Sequence, residues 1–418
     1  MSFFNIIGRN RQVNANKLWT KSFIFLIMVS FITAMGFNMI YTTISKYAMD
    51  IMNSLTVAGV VSGIFSVAAL VVRPIAGVTA DRFNKKKLCI LANILIGISI
   101  AGYALSSNIY LLYFFRILHG ISFGISSTVN IALVTRFIPK ERLGEGIGYF
   151  GIGQVLASII GPNVGIYIAD KAGFQSLFLI TAVLSFWAAA MLLFLGYANE
   201  PGNTGNLSNP GNTGRKTNFQ PLIAKEIIVY TIIGGVFSFG NGIVSSFLIL
   251  LAKERNIANI GIFFSVGAVV VFILRMFIGR IVDRHGLTIT VNISLVVSAI
   301  SMALIGFAPA LAPLIVASVL KSIGQGAGQL SLQAESIKSV DETRVGVATS
   351  TFYIGADIGQ GLGPIIGGGI SDWFNYTTMF LVCGVLILAS MVLFNIYQKK
   401  SGYRRADPID STVTPSLN

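Results

Sequence analysis

Arg116, His119, Lys321 and Asp357 fall inside long apolar stretches, where charge is expensive and therefore informative. Asp357 is the only carboxylate near the middle of such a stretch, about 12 residues from its start, or ~18 Å along a helix axis. Burial favours the protonated form of a carboxyl group and a neighbouring cation favours the ionised form. A carboxylate held between those influences can take a proton in one conformation and a cationic group in another. The alternative is a structural acid, salt-bridged between the second and eleventh apolar segments. Arg116 lies at a depth that costs at least ~2.5–3.5 kcal/mol on insertion scales, so it should face the interior and have partners. It could instead staple helices through carbonyls or snorkel to the surface. His119 stands one turn along on the same face, placed either to share protons or to pack as an ordinary polar residue. Lys321 is a cation in the other half of the chain. Together with Arg116 it would suit a ligand bearing carboxylate or phosphate. Asn38, Tyr41, Gln154, Asn241, Gln325, Gln329 and Tyr353 add neutral hydrogen-bonding groups in the same segments. Glu335, near a segment end, could be solvated and ranks below Asp357.

Reaction chemistry is otherwise missing. There is no G-x4-G-K-[ST] loop for ATP, no H-E-x-x-H, no paired carboxylate within the apolar segments and no reactive Cys–His set. The chain reads as a protein that is not an enzyme, with no metal and no cofactor. Cys89 and Cys383 both fall in apolar runs and give no disulfide framework.

The elements that must position these groups follow from composition. Hydrophobic residues make up 54% of the 418 and charged residues only 11%, too few to cover a water-soluble surface of this size. Apolar segments of spanning length run over 23–45, 56–80, 88–106, 110–136, 144–169 and 174–197, then 226–251, 259–281, 288–308, 311–335, 345–370 and 377–397. Each approaches or exceeds the ~20 residues that cross a bilayer. Between the sixth and seventh lies a polar stretch containing PGNTG twice, at 201–205 and 210–214, which reads as a linker. The predicted organisation is a six-helix half over 1–198, a flexible linker over 199–221, a second six-helix half over 222–398 and a disordered tail over 399–418.

The net charge of +14 suggests nucleic acid until the charges are placed. With the N-terminus inside, 22 of the 30 Lys and Arg residues fall on the inner side. Only Lys46, Lys171, Lys253 and Arg255 fall outside, and Arg73, Arg116, Arg275 and Lys321 lie within helices. That asymmetry orients a multi-pass cell-membrane protein with both termini cytoplasmic, and the expected partner is the bilayer rather than nucleic acid.

The halves repeat. Arg73-x3-Gly77-x3-Asp81-Arg82 recurs as Arg275-x3-Gly279-x3-Asp283-Arg284. Gly161-Pro162-x2-Gly165-x4-Asp170 recurs as Gly363-Pro364-x2-Gly367-x4-Asp372, and Arg142-x-Gly144 as Arg344-x-Gly346. All three pairs share an offset of 202 residues. Two parallel halves related about the membrane normal, with a site between them near mid-membrane, is the architecture this implies.

On these residues the chain resembles the major facilitator superfamily. Gly77-Val-Thr-Ala-Asp81-Arg82-Phe-Asn84-Lys85-Lys86-Lys87 looks like that family's loop signature G-x-x-x-D-R-x-G-[RK]-[RK], with Asn84 in place of a glycine. Asn tolerates a left-handed turn better than other non-glycine residues. Arg116-Ile-Leu-His119-Gly120 resembles a buried motif linked with proton coupling. Gly148-x8-Ala157-x3-Gly161-Pro162-x2-Gly165 resembles the antiporter motif, with Ala157 and Ile166 replacing glycines. The similarity is to the twelve-helix drug:proton antiporters and metabolite exporters.

The resemblance implies an all-α fold of twelve transmembrane helices and export of a small organic molecule, driven by a proton gradient and functional as a monomer. A symporter or uniporter importing a nutrient on the same fold is the alternative. The proton-coupling and ligand residues would be Asp357, Arg116, His119 and Lys321. Gly77, Asp81 and Arg82, with Gly279, Asp283 and Arg284, would form a conformational latch, Asp81 facing the start of the eleventh helix. Gly148, Gly161, Pro162, Gly165, Gly363, Pro364 and Gly367 would shape the moving interfaces.

Overall fold

The computed structural model describes residues 18–106, 108–139, 142–196, 223–341 and 344–400, and within these leaves undescribed the side-chain surroundings of 77, 78, 80–82, 143–144, 345–346 and 400. The linker expected at 199–221 lies outside the described residues. The last helix runs to Lys400, two residues into the expected tail.

The first half contains α1 (Lys21–Met52), α2 (Leu55–Arg82), α3 (Lys85–Leu105) and α4 (Ile109–Val134). A continuous helical run, Leu143–Leu193, follows, and Gly173 at φ 82° and ψ 165° breaks it into α5 (143–172) and α6 (174–193). The second half contains α7 (Ile228–Glu254), α8 (Gly261–His285), α9 (Leu287–Phe307), α10 (Leu311–Lys338), α11 (Val345–Trp373) and α12 (Tyr376–Lys400). Ten described helical stretches are long and apolar enough to cross a membrane, the pair α5–α6 counting as one and glycine-rich α11 not among them. Among the described residues α1 to α12 are the twelve helices expected.

Short polar side chains N-cap the first four helices. Thr20 accepts from Phe23 N at 3.2 Å to start α1, and Asn53, at φ 49°, turns the chain out of it. Asn84 does not adopt the left-handed turn expected of it. Its φ is −64°, and its side-chain oxygen accepts from Lys87 N at 3.0 Å, so it N-caps α3. The equivalent residue of the second copy, Gly286, does take a positive φ of 79°. One turn is thus made in two ways, by a side-chain cap and by a glycine backbone.

Two helix pairs carry the closest packing between the halves, α2 on α11 and α5 on α8. Along the first seam a Cβ on Gly59 would collide with the Pro364 carbonyl, one on Gly63 with that of Gly361, and one on Gly368 with that of Leu55. Backbone-to-backbone contact of this kind is what small residues permit between membrane helices. Gly161 and Gly165 bring α5 against α1, where an added Cβ would lie 2.7 Å from Asn38 Cβ and 2.6 Å from the Met39 carbonyl. Gly363 and Gly367 bring α11 against α7 in the same way, at Phe239 and Ile243.

Candidate functional site: a cavity between the halves

A cavity of about 600 Å³ lies between the halves, walled by α1, α2, α4 and α5 on one side and α7, α8, α10 and α11 on the other. The first half contributes Asn38, Tyr41 and Gln154, together with Arg73. The second contributes Asn241, Lys321, Gln325, Gln329, Tyr353 and Asp357, together with Arg275. The helical spacing of Lys321, Gln325, Gln329 and Gln333, four residues apart each time, aligns them on one face of α10. Phe37, Phe65 and Phe123 make an aromatic wall in the first half, with Phe37 4.6 Å from Phe123 and 5.0 Å from Tyr41 between ring centres.

One end of the cavity is sealed. Asp372, past the apolar stretch of α11, accepts from Leu55 N at 2.8 Å, Thr56 N at 2.7 Å and Ser54 Oγ at 3.0 Å. Ser54 itself accepts from Val57 N, and Ala58 N bonds back to the Ser54 carbonyl. The amides that open α2 are therefore satisfied by its own N-cap and by a carboxylate from the opposite half. Partial burial pushes the Asp372 carboxyl up, but the hydrogen bonds from Thr56, Leu55 and Ser54 outweigh it and hold the group below the usual carboxylate range. At the same end Lys253 pairs with Asp50 at 3.2 Å, and Asn163 of α5 donates to Ser265 of α8 at 2.6 Å. Asp170, the repeat of Asp372, stays within its own half on Lys46, at 2.6 Å.

The other end, where α1 begins and α8 ends, is the open one: Arg275 and Tyr353, which line the cavity towards it, are exposed. Gly148 and Gly151 of α5 and Gly279 of α8 have nothing within 4 Å of where a Cβ would stand. Gly148 therefore does not pack closely in this conformation, unlike Gly161 and Gly165. The Asp81 and Arg82 side chains and the surroundings of Gly77 lie outside the described residues, so that latch has no described contacts. Asp283 and Arg284 are exposed at the end of α8.

The one ion pair that bridges the seam inside the cavity is Arg73 with Asp357, among the described residues. Arg73 Nε stands 2.5 Å from Oδ2, and Nη2 donates to Oδ1 at 3.2 Å. It joins the second helix to the eleventh, the pairing that stood as the alternative for Asp357. Lys321 donates to Asn241 Oδ1 at 2.8 Å, and Asn241 donates in turn to Gln360 at 3.2 Å.

Arg116 and His119 are not on the cavity wall. Arg116 is 1% exposed and donates to the Val61 and Ser62 carbonyls of α2 at 2.8 and 3.3 Å, with its guanidinium over the Phe65 ring. His119 shares a hydrogen bond with Tyr103 at 2.8 Å. The carbonyl staple accounts for the contacts of Arg116, and Phe65 stands between it and the cavity. Glu335 is buried at 7% exposure rather than solvated, because it lies on the α10 face turned into the second half. Sequence reasoning passed over Arg73, Arg275 and Asp372 as site residues. The repeat did mark all three, since each occupies a position matched at an offset of 202.

The sequence profile of the Major Facilitator Superfamily matches residues 26–254 and 230–416. The chain is 25% identical over 414 residues to a multi-drug resistance efflux pump PmrA homolog of Lactococcus lactis, covering 94% of this chain and 99% of that one. It is 24% identical to the staphylopine export protein of Staphylococcus aureus, over 90% and 95% of the two chains. Among solved structures it is similar to the nucleoside transporter NupG, with a TM-score of 0.74 and 16% identity over 90% of this chain and 99% of the other. A bacterial homolog of the human lysosomal transporter Spinster, captured inward-facing and unoccupied, gives a TM-score of 0.71 at 14% identity over 90% and 94%. With two repeated halves, a central cavity and these matches, the chain belongs to the Major Facilitator Superfamily and is a multi-pass membrane protein, a secondary transporter rather than an enzyme.

Proposed function

We propose that this protein exports a small organic molecule across the cell membrane by alternating access, in exchange for protons. The observation that carries the reading is the cavity itself, sealed at one end by Asp372 and open at the other, with Arg73–Asp357 bridging its two moving walls. Export is favoured by the relatives, two of which are named for efflux and export. The excess of Lys and Arg on the side where α1 begins supports cytoplasmic termini, which makes the open end cytoplasmic.

In this reading the proton goes to the Asp357 carboxylate and cancels its charge, releasing Arg73. Each partner of the pair moves with a different half, so losing the pair lowers the cost of the rocking motion. The energy source is the proton gradient, with no cofactor, and one chain suffices because the whole cavity is built within it. Behind the aromatic wall Arg116 ties α4 to α2, and His119 ties α4 to Tyr103 of α3.

The test is reconstitution of the full chain in liposomes with an imposed pH gradient. Labelled dyes and labelled organic acids are followed in both directions. Uptake into the compartment that loses protons supports proton-driven exchange. Co-movement of compound and proton in the same direction would mean symport, and movement indifferent to the gradient would mean a uniporter.

A further inference from the structure

We infer that the cavity takes an organic anion, a compound joining an apolar or aromatic body to carboxylate groups, held by Lys321 and Arg275. The inference rests on the cavity being the cargo path, and it concerns the chemical class of that cargo.

Among the described residues four charged groups stand on the cavity wall: Arg73, Arg275, Lys321 and Asp357. Arg73 and Asp357 neutralise one another. Lys321 has a neutral partner, Asn241, and among the described residues neither it nor Arg275 makes an ion pair. The repeat explains why. Arg275 is Arg73 displaced by 202 residues, but the residue that corresponds to Asp357 in the first half is Val155, which also lines the cavity. One seam carries a cation with its acid, and the other carries the cation alone. Lys321 corresponds to His119, so the second half carries an amine where the first has a ring bonded to Tyr103. Cations at this depth persist where a cavity or a ligand uses them.

Placement along the axis fits a guided entry. Gly267 of α8 lies level with Ser322 of α10, where an added Cβ would stand 2.8 Å from Ser322 Oγ, and Lys321 adjoins Ser322. Arg275 is eight residues further along α8, about 12 Å nearer the open end. Gln325 and Gln329 occupy the interval on the α10 face, and Gln329 donates to Ser238 at 3.1 Å. An anion meets Arg275 first and Lys321 deeper in, with amide groups between. The opposite wall is the aromatic cluster of Phe37, Phe65 and Phe123, which suits the apolar body of the same molecule. A greasy cation would find the same aromatic wall, but it would face two unpaired positive charges and an acid already bonded to Arg73.

Matched compounds test this on the full-length protein in nanodiscs: N-benzoylglutamate and 1-naphthoate, their uncharged amides, and tetraphenylphosphonium, with binding measured by calorimetry. The acids should bind about tenfold or more tighter than their amides, and Lys321→Gln and Arg275→Gln should each remove about that factor for the acids while leaving the amides unchanged. Arg275 is exposed on the cavity wall, so Arg275→Gln keeps the test alive if Lys321→Gln misfolds. The inference is overturned if neither acid binds, if acid and amide bind alike, or if tetraphenylphosphonium is preferred in wild type and both variants. Flux of the same compounds separates the two readings: acids that bind without moving under any gradient support the anion site and count against transport by this cavity.

Discussion

Arg73 and Asp357 meet across the seam between the two halves, Nε 2.5 Å from Oδ2, whereas the repeat-related positions on the opposite seam hold Arg275 and Val155. The pair retains 29% and 16% side-chain exposure and faces a cavity, so its energy falls short of that of a fully buried pair. Removing either partner alone should cost about 1–3 kcal/mol, below the ~3–5 typical of full burial. The double variant Arg73→Gln/Asp357→Asn should lose less than the two singles combined. A double-mutant cycle on denaturant unfolding in detergent checks this, and strict additivity would show that the two groups do not interact.

Asp372 binds α2 from the other half, and its pseudo-symmetric mate does not bind α8. A carboxylate at an exposed helix N-terminus stabilises by about 0.3–1 kcal/mol, so Asp372→Ala should shift the balance away from this conformation about two- to fivefold. Spin labels at positions 52 and 259, on opposite halves at the sealed end, would report a larger share of long distances. An unchanged distance distribution would show that the carboxylate does not hold the gate.

The same residue makes a prediction about pH. The folded value of Asp372 is depressed, so its contribution is complete above the ordinary carboxylate value of about 4 and is lost only as pH falls through the depressed value. Between about pH 5 and 8 the bolt is constant. Asp372→Ala should therefore change the transport rate without moving the midpoint of its pH profile in that window. A displaced midpoint would place Asp372 in the proton path.

Gly59 and Gly148 should respond in opposite senses. Gly59→Ala already meets the Pro364 carbonyl and should disfavour the conformation with the sealed end closed. Gly148→Trp has open space here and should be tolerated in this conformation while obstructing closure of the open end. Cysteine labelling from each side of the membrane would read both. Identical labelling of the two variants would contradict the proposed direction of movement.

Arg116 should behave as a structural residue. It donates to two backbone carbonyls while buried, and Arg116→Gln should destabilise the protein by about 2–4 kcal/mol. The transport that remains should keep its dependence on the pH gradient. Uncoupled transport at normal stability would instead return Arg116 to the proton pathway.

Much of this architecture was legible in the residues. Twelve apolar runs, the charge asymmetry of their loops and three motifs at one offset lead directly to two six-helix halves. Asp357 and Lys321 stood out because each is an isolated charge in an apolar run. What the residues did not disclose is which wall each one faces. Arg116 and Lys321 look alike in sequence, yet one turns to the carbonyls of α2 and the other into the cavity, because helix rotation is set by packing against neighbours. Arg275 escaped notice for a related reason: within the repeat it looks like a copy of Arg73, and only the seam geometry shows that Val155 leaves it without an acid. Asp372 was visible only as the last residue of a repeated motif, since its target at the start of α2 lies more than 300 positions away.

The most direct test of the central claim compares wild type with Asp357→Asn in proteoliposomes, following proton movement and compound movement together. Proton-linked exchange in wild type, with Asp357→Asn still exchanging compound across the membrane but no longer responding to the pH gradient, is the predicted result. If Asp357→Asn remains driven by the gradient as wild type is, Asp357 is a structural partner of Arg73 and the proton is carried elsewhere.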